Sequence, residues 1–386
     1  MELIPFTFVN TQELLSKANK EWTEEPVLGI DLEMENNLHH YGCYTALIQI
    51  SSRTKNWIVD PLSIKDLSLV MTMFENPKIQ KIFHDVTFDF RVLQEEYNCK
   101  PKNIFDSEKA AVLLGKTSVG LGSLLEEYFG AKKESKFQMA DWTKRPIKDT
   151  MLSYAIGDTT YLLKLKDTLE SELKKLGRTE WMKQIFDKLE KADYPLKQME
   201  YYEFRGYKSL TPSQQSLLKE LFLLREKLAK KVDRPIHFVI NNRLLKELLE
   251  HHPRTIEGWA KIKGVHPIVR RKAKEFMAAV IKAKKNAQPI PPKSTSRPKK
   301  FNEKQKKLVV LLGEVREKLG SKHKIAPHVF LSKDEIKEIV VSNSLDCLLP
   351  WQRDILLKEE NIKNIFLNNN DKDINKNNSK SNEENK

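Results

Sequence analysis

The chain has 386 residues, 40% of them hydrophobic, with 67 Lys and Arg against 53 Asp and Glu. That is material for two to three domain cores at about 150 residues each, and it excludes a disordered polymer or a disulfide-stapled miniature. No apolar run approaches the roughly 20 residues of a membrane helix, the opening MELIPFTFVN lacks the parts of a secretory signal, and Cys43, Cys99 and Cys347 form no CxxC pair, so a soluble, cytoplasmic protein with reduced cysteines is expected. The net charge of +14 is unevenly spread. Residues 1–200 sum to −4 and 201–386 to +18, and residues 261–310 hold 16 Lys and Arg against 2 acidic residues. This is the pattern of a chemical site followed by a module that holds a polyanion.

In chain order, short β-branched runs alternate with helical periodicity through the first half, the mark of an α/β domain. Strands are predicted at Pro26–Met34, Tyr44–Ser51, Asn56–Asp60 and Lys78–His84. Helices are predicted around Gln12–Lys20, Asp66–Glu75, Asp89–Tyr97, Leu121–Phe129 and Lys148–Leu176. Short connections make the first three strands antiparallel. From Thr211, which can cap a helix beginning at Pro212, the pattern becomes wholly helical. Asp233-Arg234-Pro235 breaks it, and PIVRRKAKEFMAAVIKAKK closes this unit. Gln288–Lys300 reads as an extended linker. KQKKLVVLLGEVREKLGSKH then parallels QQSLLKELFLLREKLAKKVD, and DEIKEIV parallels RLLKELL, so a second helical unit repeats the first. From Asn368, Ile374 is the only apolar residue, the composition of a disordered tail.

Three acidic elements stand out. Alternation in VLGIDLEM sets Leu28, Ile30, Leu32 and Met34 on one face and Asp31 and Glu33 on the other. Alone, that is a strand with a solvated acidic side. In a sheet covered by helices on both faces it buries two carboxylates that repel unless cations neutralise them. Next, KIQKIFHDVTFDFRVL runs from strand into helix, with Asp85 read as the helix N-cap and Asp89 lying inside the apolar pattern of Phe88, Phe90, Val92 and Leu93. Last, Tyr154 and Asp158 are four apart on one helix face, by default a core Tyr beside an exposed Asp.

In order and spacing, Asp31-x-Glu33, Asp89 in an HxxxxDxxxL frame beginning at His84, and Tyr154-x-x-x-Asp158 resemble the three exonuclease motifs of the DEDD superfamily, in its tyrosine-bearing branch. LIQIS at Leu47–Ser51, IFDSEKAA at Ile104–Ala111 and ADWTKRPI at Ala140–Ile147 extend the likeness, the last resembling the DWxxRPL element of the ribonuclease D family. EGWAKIKGVHPIVRRKAKEF at Glu257–Phe276 and LPWQRDILL at Leu349–Leu357 resemble HRDC domains. The resemblance covers the chain to about residue 367.

It implies an α/β ribonuclease-H-like exonuclease domain, a mixed sheet flanked by helices, over residues 1–205. Two all-α HRDC-like domains would follow at 206–287 and 301–367, the second divergent, with the linker at 288–300 and the tail at 368–386. It implies Asp31, Glu33, Asp89 and Asp158 as ligands of two divalent cations, Mg²⁺ or Mn²⁺, and Tyr154 as the group that orients the attacking water. The implied reaction is hydrolysis of RNA from its 3′ end to nucleoside 5′-monophosphates, with precursor tRNA and other small structured RNAs as substrates. The chemistry is consistent: four carboxylates offset two divalent charges, oxygen ligands suit hard cations, and two ions about 4 Å apart serve an in-line phosphodiester displacement.

A 3′→5′ DNA exonuclease is the alternative within the same frame, and a catalytically silent RNA-binding adaptor the alternative outside it. No obligate protein partner is expected. Lys261, Lys263, Arg270, Arg271 and Lys272 flank a Gly264-Val265 turn at a helix N-terminus and are the candidate phosphate contacts; the second unit has no matching Gly turn before Trp351. Trp142 and Arg145 are expected to lock the segment before the Tyr154 helix, and His251-His252 to end a helix.

Overall fold

The computed structural model describes residues 5–132, 136–286 and 301–367, so the predicted linker and tail lie outside the described residues. β1 (Thr7–Val9) leads into α1 (Gln12–Glu24), which starts where Thr11 Oγ1 accepts the Leu14 N–H and which buries Leu15, Ala18 and Trp22. β2 (Val27–Asn36), β3 (Cys43–Ser51) and β4 (Asn56–Val59) form the antiparallel meander expected from their short connections. Then come α2 (Ser68–Glu75), β5 (Gln80–Phe83), α3 (Thr87–Tyr97), β6 (Ile104–Asp106), α4 (Ser107–Leu114), α5 (Leu121–Phe129), α6 (Asp149–Thr160), α7 (Leu162–Lys175) and α8 (Thr179–Lys191).

The sheet order is β1-β4-β3-β2-β5-β6, with β1–β4, β2–β5 and β5–β6 parallel, so the sheet is mixed. Helices cover both faces. Leu28, Ile30 and Leu32 enter the main core, while Ala46, Leu47 and Ile58 pack with Leu152, Ala155 and Ile156 of α6 and with Trp142. β1 and β6 are edge strands of three residues, too short to show a period. The long helix predicted over 148–176 is two, broken at Tyr161, so that α6 lies over β2, β3 and β4 while α7 turns to β2 and β5. The break presses on β2 at Gly29, where a Cβ would stand 3.0 Å from the Thr159 carbonyl.

Asp85 does not cap α3. It sits in the left-handed region at φ 57°, and Val86 occupies the cap position without a side-chain bond. Asp106 does the work instead: its carboxylate accepts the N–H groups of Asp85 (3.1 Å) and Val86 (3.0 Å), and those of Glu108 (2.9 Å) and Lys109 (3.2 Å) at the start of α4. Asp85 turns its side chain to Lys109 Nζ at 3.2 Å.

The first helical unit comprises α9 (Pro212–Val232), α10 (Ile236–Val239), α11 (Asn242–Glu250), α12 (Ile256–Ala260), α13 (Pro267–Arg271) and α14 (Ala273–Lys285); His251 ends α11. The second comprises α15 (Glu303–His323), α16 (Lys333–Ser342), α17 (Pro350–Leu356) and α18 (Glu360–Phe366). Each has its own apolar core. The repeat is visible residue by residue: N-caps Thr211 and Asn302, left-handed C-caps Asp233 and Lys324, and N-caps Asn241 and Ser332 are each 91 positions apart. At the same offset Arg225 and Arg316 donate to the Ile240 and Leu331 carbonyls. No helix among the described residues is long and apolar enough to cross a membrane.

The two units dock differently. The first meets the β2–β3 hairpin loop: His40 Nδ1 lies 2.6 Å from Asp233 Oδ2, the Tyr41 hydroxyl donates to Glu226 (2.7 Å), and Arg234 donates to the His39 carbonyl (3.2 Å). The second stacks Trp351 on Trp181 of α8 at 4.6 Å, and Arg178 donates to the Leu113 and His323 carbonyls across the junction. There Gly115, at φ 84°, is obligatory, since a Cβ would lie 1.9 Å from the Lys324 carbonyl oxygen.

Candidate active site

β2 presents Asp31 and Glu33, and α6 presents Asp158 one turn after Tyr154. Oxygens of these three carboxylates lie within 4.8 Å of one another. Beyond Glu33 the β2–β3 register shifts, which leaves Ala46 without a partner. The third member of this acidic row, Glu35, is buried, and it accepts the Leu38 (2.6 Å) and His39 (3.1 Å) N–H groups, fastening the hairpin loop.

α3 brings in Asp89, buried as its place in the apolar pattern implied. Burial, then the neighbouring Asp31, Asp106 and Asp85, push its carboxyl well above the usual range. Burial, then Asp158, Glu33 and Asp31, likewise raise the Tyr154 hydroxyl, so the phenol keeps its proton. All five residues predicted from the motifs therefore share one locality.

Tyr154 is held by a wall. Its ring meets Phe137 edge-on at 5.5 Å and lies 6.2 Å from Trp142. Trp142 is buried, and Arg145 pins the segment with paired bonds to Asp60 (2.7 and 2.6 Å) and further bonds to the Trp142 (2.7 Å) and Ala46 (2.9 Å) carbonyls. Both residues are structural, as expected. The wall reaches the first helical unit through His40, whose Nε2 lies 3.8 Å from Asp141 while its Nδ1 meets Asp233.

The basic candidates are elsewhere. Lys261 and Lys263 are exposed in the turn after α12, and Arg270 and Arg271 on α13, whereas Lys272 is paired with Glu275 at 2.7 Å. The helix N-terminus beside Gly264 is already occupied, since His266 Nδ1 accepts the Ile268 N–H, and both arginines stand at the other end of that five-residue helix. What remains is an exposed cationic face, not a cradle at a helix start.

Asp106 and the hairpin residues His39, His40 and Tyr41 carry structural duties at the site that sequence reasoning does not assign. For Asp106 a signal exists, an Asp-Ser pair opening a helical run. For the hairpin there is none.

A mixed sheet between helices, with carboxylates of two strand positions and a facing helix converging beside a tyrosine, is the frame of a nuclease that works with divalent cations. The donor set fits such ions: the ligands are all oxygens, and those of Asp31, Glu33 and Asp158 crowd within 4.8 Å. Residues 6–174 match the family model of the 3′-5′ exonuclease domain, and residues 214–281 that of the HRDC domain. This chain therefore carries a 3′-5′ exonuclease domain followed by an HRDC domain, and it resembles the ribonuclease D-like DEDD exonucleases, a family that depends on divalent metal.

Among relatives, ribonuclease D of Haemophilus influenzae is 28% identical over 305 residues, covering 76% of this chain and 74% of that protein. Exosome complex component 10 of Mus musculus is 30% identical over 292 residues and 72% of this chain, but this chain covers only 33% of it, about a third of its length. The solved structure of Escherichia coli RNase D aligns with 94% of this chain and 98% of its own at a TM-score of 0.66 and 20% identity, a likeness of fold that extends into the second helical unit.

Proposed function

We propose that this chain is a 3′→5′ exoribonuclease that removes nucleoside 5′-monophosphates from RNA ends in the cytoplasm, with 3′ extensions of precursor tRNA and other small structured RNAs as substrates. Asp31, Glu33, Asp89 and Asp158 would hold two divalent cations, Mg²⁺ or Mn²⁺. Bound there, such ions supply a water of lowered pKa and charge compensation at the scissile phosphate. The chain's own residues do the rest. Tyr154, on the helix face it shares with Asp158, offers its hydroxyl to orient the attacking water, and the Phe137–Trp142 wall keeps that ring in place. Residues 1–205 carry the chemistry. The exposed Lys261, Lys263, Arg270 and Arg271 of the first HRDC-like unit hold RNA backbone, and the second unit, 301–367, serves as an HRDC-like packing module. The observation that supports this reading best is the convergence of Asp31, Glu33 and Asp158 within 4.8 Å.

The relatives named for the exosome belong to a complex by that name, so a protein partner for this chain is a separate experiment. The direct test is a time course on a 3′-tailed tRNA, a single-stranded RNA and the matching DNA, with and without EDTA. EDTA-sensitive release of mononucleotides from RNA is expected. Faster degradation of DNA would favour a repair exonuclease, and binding without any release would leave an adaptor.

A further inference from the structure

Gln49, inside the LIQIS segment, lies on β3 directly opposite Asp31 on β2, so the two side chains leave the sheet on the same face as immediate cross-strand neighbours. α6 roofs that face. Two residues before Gln49, Leu47 packs with Ala155 and Ile156 of α6; two residues after it, Ser51 Oγ meets Thr159 Oγ1 at 2.6 Å. Gln49 therefore projects between these contacts, beneath the helix that carries Tyr154 and Asp158. It is 0% exposed, and neither its amide nitrogen nor its amide oxygen has a hydrogen-bond partner. Its neighbour on the other side is Ile58 of β4, so an aliphatic side chain would complete the layer at no desolvation cost. A buried amide left unsatisfied beside a ligand carboxylate is a group that the resting fold does not use.

We propose that Gln49 is a positioning residue for Asp31. When Asp31 turns one carboxylate oxygen to a divalent cation, the Gln49 Nε2–H donates to the other and fixes the Asp31 rotamer, leaving the amide oxygen for a water. The proposal rests on the cation reading above, and its test separates the two.

The full-length protein, Gln49→Met, Gln49→Asn and Asp31→Asn are titrated with Mn²⁺ by calorimetry, melted in EDTA, and assayed for kcat and KM on a 3′-tailed RNA. Gln49→Met keeps length and volume but loses the amide. It is expected to melt in EDTA at the wild-type temperature or above, to bind Mn²⁺ about 10-fold more weakly, and to lose about 10-fold in kcat with KM unchanged. Gln49→Asn, whose amide is one methylene short, should fall between Met and wild type, and it carries the test if Gln49→Met does not fold. Wild-type Mn²⁺ affinity and kcat in Gln49→Met overturn the proposal alone. So does a drop of several degrees in its melting temperature in EDTA, which would make Gln49 a packing residue. If wild type and Asp31→Asn take up Mn²⁺ alike, the cation reading falls and this proposal falls with it.

Discussion

Two regions of one sheet bury carboxylates in opposite ways. Asp60, just past β4, is 1% exposed and fully provided for: Arg145 donates two bonds, Ser63 Oγ one (2.7 Å) and the Leu62 N–H another (3.1 Å). Burial raises its pKa, yet the Arg145 and Ser63 bonds prevail and hold it below the usual range. Asp89, also buried on α3, is set against Asp31, Asp106 and Asp85, and its carboxyl is pushed up. The same side chain thus completes the fold in one place and strains it in the other. The difference teaches that carboxylate crowding at Asp31, Glu33, Asp89 and Asp158 is not a shortage of arginines. It is an arrangement of like charges that added positive charge would relieve.

The sharpest way to break this comparison is to remove one member of each set. Asp31→Ala or Asp89→Asn should abolish hydrolysis, a loss on the order of 10³-fold or more, while the melting temperature in EDTA stays level or rises because a carboxyl crowded by its acidic neighbours is gone. Near wild-type turnover at saturating Mg²⁺ in either variant would remove that residue from the ligand set. Tyr154→Phe deletes a hydroxyl and no core volume, so kcat should fall by on the order of 10² with little change in KM or stability; an unchanged kcat would reduce Tyr154 to a member of the Phe137–Trp142 wall.

Asp60→Ala should do the reverse of Asp89→Asn. It leaves the Arg145 guanidinium without its carboxylate, and because that side chain is 25% exposed the expected cost is about 2–3 kcal/mol, below that of a fully buried pair. Urea unfolding would read it as a lower midpoint at constant slope. Activity per folded molecule should fall only as far as the Tyr154 wall loosens. An Asp60→Ala protein as stable as wild type would mean that the pair does not anchor the segment.

How much of this is legible in the sequence follows from the range of each interaction. Asp31 and Glu33 share a face by a period of two, and Tyr154 and Asp158 by a spacing of four, both properties of a few consecutive residues. Their meeting can be inferred only through the motif likeness, because β2, α3 and α6 are far apart in sequence. Asp85 misleads for the same reason: a cap next to a helix start is the local default, and the competitor that displaces it, Asp106, arrives with β6. The break between α6 and α7 has no Pro to announce it, only Gly157 one turn earlier, and it follows where β2 and β5 lie. Gln49 shows nothing in the sequence beyond its place in an apolar strand; its significance is the register that sets it opposite Asp31. The cationic stretch is plain from composition, but which cations are already paired is not.

That last distinction supports the smallest prediction. Lys261, Lys263, Arg270 and Arg271 are exposed, and Lys272 is paired with Glu275. If the exposed four grip phosphates, replacing them together by Ala should weaken binding of a 3′-tailed tRNA and flatten the slope of log K against log salt by roughly 0.7 to 0.9 for each phosphate no longer neutralised. Lys272→Ala should change that slope less than any one of the four, because its ammonium would have to leave a carboxylate to meet a phosphate. The carboxylate cluster should be indifferent: mononucleotide release from a short oligonucleotide should keep its wild-type kcat in the quadruple variant, because none of the four belongs to that cluster or to the Tyr154 wall. Equal salt slopes for wild type and the quadruple variant would make these cations a solvated surface and shift the RNA grip to the exonuclease domain. Equal slopes for Lys272→Ala and Lys263→Ala, with the quadruple variant flattened, would instead show that the Lys272–Glu275 pair, its side chains 33% and 36% exposed, opens readily to RNA despite that partial shielding from solvent.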